Sequence, residues 1–424
     1  MRFSLTLALS LLGFWQLSAQ SFVLNLPRTS QAAEVGQNIG VTSLHLSYHA
    51  PKLNDRELLG NLIPFNSEGS IPWRGGADEN TIFSTSSDIF IGEKELPAGA
   101  YGIHFWVTKT DISAIFSSNS DSWGSFSYNS DLDVARVKVS RSVAPWKSEV
   151  LRYTFENIEP KSCDLVMHWG EEYWSIPIRV DVDKNVLAGI RQDLQSQAGW
   201  TWLGWYEAAN YCLNNEVNLD EANAWIKRSL FTNCNPTNLT THGRILQAQG
   251  KSNDEIVAAL QNDLEQFSAT WKEYNAAANF ALVSLEDIEA AKNWADQSVE
   301  MNRTFNNSST QARIMRKEGN ESEAKKFEAK ALESSTNAQA NNYAYQLLLS
   351  GKIDEALEVF KFNAKRFPDD PNVHDSLGEA YVTKGDNKKA ETSLKKSLSL
   401  NPPANVRQNS LRLLSQIGVD TANL

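Results

Sequence analysis

Hydrophobic and polar positions follow two different rhythms along this chain. Between Asn38 and Asp181 the period is two: Leu44, Leu46 and Tyr48 alternate with Ser43, His45, Ser47 and His49, and Tyr101, Ile103, Phe105 and Val107 with Gly102, His104 and Trp106. The runs Leu151/Tyr153/Phe155, Leu165/Met167/Trp169 and Trp174/Ile176/Ile178 continue it. Successive strand side chains point to opposite faces, so each run offers one face to a core and one to solvent or a second sheet. Turn signals at Ile91-Gly92-Glu93-Lys94, at Leu96-Pro97-Ala98-Gly99 and from Ser117 to Ser122 separate the runs. Short strands with little helix predict an antiparallel β-sandwich over 38–181, preceded by a lead segment at 20–37.

Beyond Asp181 the rhythm becomes helical. Small or apolar anchors at Ala222, Ile256, Ala290, Ala324, Ala356 and Ala390 recur every 34 residues, with one interval of 32. A small residue there lets the second helix of a two-helix unit press against the first. The prediction is a linker helix at 182–199, six such units over 200–402 and a capping helix at 403–424 that hides the last apolar edge. Trp200, Trp202, Trp205 and Tyr206 are expected to seat the first unit, and Pro402-Pro403 to stop the last.

The last unit carries Leu377, Gly378, Tyr381, Ala390, Leu394 and Pro402, and the one before it Leu347, Ala356, Phe360 and Pro368. These residues and their spacing resemble tetratricopeptide repeats, which implies an α-helical solenoid and a docking surface for protein. In the first half, Tyr48-His49-Ala50-Pro51, Arg56 with Gly60, the stretch from Trp73 to Thr81, Leu96-Pro97-Ala98-Gly99-Ala100-Tyr101 and Asp133-Val134-Ala135-Arg136-Val137 resemble an exported bacterial domain, family 2911 of unknown function. The resemblance covers roughly Pro27 to Val180 and implies export and a helical repeat region behind the β domain. It brings no catalytic residues. The chain departs from the family pattern at Asp78 and Asn80, in a stretch that more often reads Ala-Asn-Glu-Ala-Thr.

Arg2 followed by the apolar run Leu5 to Leu17 and by Leu17-Ser18-Ala19 reads as a secretory signal over residues 1–19, with Gln20 the first mature residue. The expectation is a secreted or periplasmic protein with no membrane span after cleavage. Net charge is −11 with both signs interspersed, so no basic stripe exists to neutralise phosphates and nucleic acid is not an expected partner. Three cysteines remain, Cys163, Cys212 and Cys234. Cys212 and Cys234 fall at neighbouring ends of one predicted hairpin, where a bridge and buried thiols are both open.

Candidate chemistry is sparse. Trp73, Arg74, Asp78 and Glu79 lie on a Gly-rich connection, where an indole can stack on a sugar or peptide plane and a guanidinium can fork onto a carboxylate. The alternative is structural, an Arg74–Glu79 or Arg74–Asp133 pair tying a loop down beneath a tryptophan plug. Asp78, Glu79 and His104 are the candidates for an alternative function as a hydrolase of glycan or peptide linkages. Trp123 and Tyr128 are the candidates for a carbohydrate-binding face. His45 and His49 share a strand face but sit about 13 Å apart, too far for one ion, and neither a metal nor another cofactor is expected. Gly-x-Ser-x-Gly and phosphate-binding glycine motifs are absent. In the repeats, positions four apart on each first helix predict a groove of Glu207, Tyr211, Asn275, Asn279, Asn341, Tyr345, Asp375 and Glu379, with Arg313 its one cation. The leading expectation is an exported scaffold whose groove takes extended peptides or basic segments of proteins, the alternative for these polar positions being packing against the chain's own β domain.

Overall fold

The computed structural model describes residues 27–422, so the expected signal peptide lies outside the described residues. Those residues form two compact units divided between Gln192 and Asp193.

The first unit is built from two antiparallel sheets. One has the order β1 (Gln31–Ile39), β2 (Thr42–Ala50), β3 (Thr81–Thr85), β6 (Gly99–Val107), β7 (Ile112–Ser117), β8 (Asp133–Lys138), and the other β5 (Lys94–Leu96), β4 (Ile89–Ile91), β10 (Ser162–Arg179), β9 (Ser140–Glu159). Leu44, Leu46, Phe83, Ile103, Phe105 and Phe116 from the first sheet share one core with Leu151, Leu165, Met167, Trp169, Trp174 and Ile176 from the second. The sheet begins at Gln31 and not at Asn38. β1 pairs with β2 from Gln31↔Ala50 to Ile39↔Thr42 as an edge strand with only Ile39 buried. An edge strand with so little buried surface has no strong alternation to betray it. A helix, α1 (Val182–Asp193), follows β10, and its Asn185 amide donates to Thr42 and Ser87 hydroxyls. It ends well short of residue 199, and a 3-10 turn at Gln197–Trp200 precedes the repeats.

The second unit is six helix pairs and a final helix: α2 (Trp202–Asn215) with α3 (Leu219–Thr232), α4 (Pro236–Ala248) with α5 (Asn253–Gln266), α6 (Trp271–Phe280) with α7 (Ile288–Met301), α8 (Phe305–Lys317) with α9 (Glu321–Glu333), α10 (Asn337–Leu349) with α11 (Ile353–Arg366), α12 (Pro371–Lys384) with α13 (Asn387–Ser399), and α14 (Ala404–Gln416). Asn235, Ser252, Thr270, Thr304 and Thr336 each begin a helix with a reciprocal capping box. The six anchors are all buried. No disulfide joins Cys212 and Cys234.

A longer period lies over the 34-residue one. Ser229 donates to the Trp202 carbonyl at 2.8 Å and receives the Asn238 amide at 3.0 Å. Sixty-nine residues on, Ser298 donates to the Trp271 carbonyl at 2.6 Å and receives the Asn307 amide at 3.0 Å. The same buried clamp therefore joins the first repeat to the second and the third to the fourth. Continuity then fails. The apolar cluster of the early repeats reaches Ile314, Met315 and Ala324, and a separate one starts at Ala340. This break coincides with the single 32-residue interval, between Ala324 and Ala356.

Candidate functional site

The first helices of the early repeats carry an open groove of about 590 Å³, lined by Tyr206 from α2, Thr237, Thr240 and Arg244 from α4, Asn279 and Val283 from α6 and the turn after it, and Arg313 from α8. Arg244 and Arg313 are both exposed and stand at equivalent positions of the 69-residue period. Arg313 is oriented by donating to Asn279 Oδ1 at 2.6 Å, while the Asn279 amide donates to Thr310 Oγ1 at 3.0 Å. Sequence spacing picked out Asn279 and Arg313 but missed Arg244, which lies three residues past the register position Thr241. Matching residues spaced along the two copies, Trp225/Trp294, Ser229/Ser298, Asn238/Asn307, Thr241/Thr310 and Gly250/Gly319, were the signal that could have found it.

The other predicted groove residues divide. Glu207 is exposed and Tyr211 half-buried on α2, and Asn275 is half-buried on α6. Asn341 and Asp375 are buried, contrary to a role as open contact points. Asp375 accepts from Ser410 Oγ at 2.5 Å and Asn409 Nδ2 at 2.8 Å, and burial pushes its carboxyl above the usual range. Tyr345 donates to Glu379 Oε2 at 2.8 Å, and burial raises its hydroxyl well above the ordinary tyrosine range. The late acidic residues are thus spent on joining neighbouring repeats. The exposed charges lining the early groove are the cations Arg244 and Arg313.

In the β unit the sequence candidates do not converge. Trp73 is core: it stacks on Trp169 at 6.0 Å and meets Trp174 edge-on at 6.0 Å, so it offers no ligand face. Arg74 turns the other way and donates to the Asp78 carbonyl at 2.7 Å, under a Phe126 ring 5.3 Å away. Gly124 above it takes a left-handed backbone, φ 62°, and a Cβ there would come within 2.8 Å of the guanidinium. The Arg74 partner is therefore a backbone carbonyl and not the expected carboxylate of Glu79 or Asp133. Asp78 itself holds a left-handed backbone, φ 58°. Glu79 pairs instead with Arg28 and with His49 Nδ1 at 3.4 Å. Burial raises its carboxyl, but the Arg28 hydrogen bond and the His49 ring outweigh that and leave it below the ordinary value.

His104 Nδ1 lies 2.8 Å from Ser125 Oγ, with His104 2% and Ser125 4% exposed. Burial first, then the Arg74 charge, lowers the imidazole to about 4. A sealed Ser–His contact admits no substrate atom, and its role is to pin the loop between β7 and β8 onto the sheet. Tyr128 belongs to the same clasp: its ring packs edge-on against His104, its hydroxyl donates to Asp133 Oδ2 at 2.8 Å and accepts from Arg136. Trp123 lies over Arg28 at 5.6 Å. Each of the two aromatics is thus engaged in contacts of its own. Among the described residues no cluster of His, Cys, Asp and Glu can hold a metal ion.

Comparison with known proteins separates the two units. Residues 30–178 match the protein family of unknown function DUF2911. The match begins just ahead of β1 and ends in β10, so the DUF2911 region and the two-sheet unit share their limits. Residues 372–403 match a tetratricopeptide repeat family, spanning α12, α13 and the turn after them. No curated protein matches the chain. Solved structures with similar helical arrays include the Cut9–Hcn1 hetero-tetramer of the APC/C (17% identity, 55% of this chain and 46% of that chain, TM-score 0.28). Others are a tetratricopeptide repeat protein from Parabacteroides merdae (18%, 52% and 86%, 0.27) and the TPR2AB domain of yeast Sti1 in complex with pHSP90 (15%, 51% and 84%, 0.22). The matched stretch thus covers less than half of the first of these chains. The repeat character behind the DUF2911 region rests on the helix pairs themselves and on the matched repeat at 372–403.

Proposed function

We propose that this chain is an exported scaffold whose helical repeats dock an extended segment of a partner protein in the groove of the first four repeats. The carrying observation is the groove wall itself, in which Arg244 and Arg313 stand exposed on α4 and α8 beside Thr240, Asn279 and Tyr206. An open groove lined by side chains from four consecutive first helices suits an extended chain, whose backbone finds hydrogen-bond partners in threonine and asparagine and whose side chains find cations. Export rests on the apolar run and small-residue site before Gln20. The β unit is read as the module carried by this scaffold.

The test is a photo-reactive residue placed singly at Val283 or Thr240 in the full chain, expressed in its own envelope. Both groove positions are expected to cross-link one defined protein, while the same residue at exposed Lys388 on α13 does not. Equal cross-linking from Lys388 would remove the groove from the account.

A further inference from the structure

The groove continues at Arg313 into a second feature. Neighbouring first helices pack closely at α2/α4, α4/α6, α6/α8 and α10/α12, whereas α8 and α10 approach one another less closely and meet through the Phe305 and Tyr343 rings. Between them opens a cleft of about 430 Å³, with Phe305, Ala312, Ala331 and Leu347 on its apolar walls, and Arg313 and Lys352 at its rim. Arg313 lines both spaces, so a chain lying in the groove runs directly onto the cleft. Tyr343 stands at the cleft with its ring 6.1 Å from Phe305, edge to face. Its hydroxyl donates to Glu328, which also accepts Arg316 at 2.8 Å. These bonds consume the one carboxylate lining the cleft and fix Tyr343 in place. Lys352 at the rim pairs with Glu355 at 3.8 Å, which leaves Arg313, where the cleft meets the groove, as the exposed cation.

We propose that the α8–α10 cleft is an anchor pocket for a bulky apolar side chain of an extended acidic segment docked in the groove. This rests on the docking function proposed above and specifies its partner. The volume lies in the range of small-ligand pockets and exceeds what a single aromatic side chain needs. The cleft lies at the break in the apolar core, where the one 32-residue interval falls. Charge complementarity selects the neighbouring residues. Arg244 and Arg313 are two helix spacings apart, roughly 16–20 Å, a span that an extended chain covers in about five or six residues. The partner segment therefore has two acidic side chains about that far apart, with an aromatic or large aliphatic residue just beyond the second.

The experiment measures fluorescence anisotropy of the full chain with a labelled synthetic peptide of Ser and Gly carrying two glutamates about six residues apart and a tryptophan two residues further on. Replacing the tryptophan by alanine is expected to weaken binding about tenfold or more. Ser309→Trp and, independently, Gln346→Trp, which fill the cleft from its rim, are expected to cause the same loss for the tryptophan peptide and leave the alanine peptide unchanged. Arg244→Glu is expected to weaken both peptides. If both peptides bind equally, or if neither filling variant matters, while Arg244→Glu still weakens binding, the cleft proposal is overturned and groove docking stands. If neither peptide binds, the acidic anchor proposal is overturned, and the cross-linking experiment alone decides whether the groove docks another chemistry.

Discussion

Arg313 Nη1 donates to Asn279 Oδ1 at 2.6 Å across an interval of 34 residues. The repeat period is thereby turned into a contact. Tyr345 reaches Glu379 and Asn409 reaches Asp375 across the same interval, so equivalent positions of successive first helices bond to one another. Residues that look like free groove contacts in the sequence are partly the ties that hold the groove walls together.

Removing one tie should therefore cost stability as well as binding. Asn279→Ala leaves Arg313 without its acceptor and Thr310 without its donor, an expected loss of about 1 kcal/mol. Asn279→Asp, which keeps the acceptor, should recover much of it. Urea denaturation of the full chain gives both values, and an unchanged midpoint for the alanine variant would contradict the tie. Joint replacement of Asn279 and Tyr345 is expected to loosen the array, so reduced capture by that double variant would not isolate a groove contact.

Two glycines in helices should respond oppositely to alanine. In α12 a Cβ on Gly378 would come within 2.5 Å of the Leu394 side chain on α13, whereas Gly189 in α1 has no atom within 4 Å of that position. Gly378→Ala is expected to destabilise by about 1–3 kcal/mol through overpacking. Gly189→Ala is expected to stabilise by up to about 1 kcal/mol through helix propensity. Thermal melts of the two variants decide the matter, and a gain in stability from Gly378→Ala would refute close packing of the last pair.

Trp73→Ala removes an indole packed among Trp169, Trp174 and Phe105. The expected cost is about 3–5 kcal/mol, seen as loss of near-ultraviolet circular dichroism or of soluble protein. A fully folded variant of unchanged stability would mean that the tryptophan serves a surface and not the core.

His104 makes the β unit sensitive to acid. Its folded imidazole titrates at about 4, below the ordinary 6.5, so the unfolded chain binds the proton more readily. The stabilisation from keeping it neutral is complete above pH 6.5 and is lost as pH falls toward 4, amounting to roughly 2 kcal/mol at pH 5. Asp375 in the repeats works in the other direction, since its raised carboxyl favours the folded state as pH falls. A nuclear magnetic resonance titration isolates the histidine: its ring signals should stay constant from pH 8 to 5, and a midpoint near 6.5 would show that the ring is open to water.

The mature chain is expected to start at Gln20. N-terminal sequencing of the protein recovered from the cell envelope checks this, and recovery beginning at Met1 would rule out cleavage there.

Local periodicity made both architectures legible, because a sheet buried on one face must alternate and a stacked helix pair must present a small residue at a fixed place. The anchors from Ala222 to Ala390 and the strands around Leu44–Tyr48 and Tyr101–Val107 follow from such rules. β1 escaped because its inward face, Ala33, Val35 and Gln37, is only half-buried and carries a weak alternation. The fate of individual polar side chains was decided by tertiary structure. Trp73 and Arg74 are neighbours in sequence on opposite sides of one strand-like segment, and only the packing of Trp169 and Trp174 on one side and of Gly124 and Phe126 on the other sends the first into the core and the second into a loop clasp. Asp375 and Arg244 are both polar residues on first helices, yet α14 packs over one and the other stays exposed in the repeat array. Which polar atom is spent on the fold and which is left for a partner depends on what arrives from distant parts of the chain, and that is a three-dimensional fact.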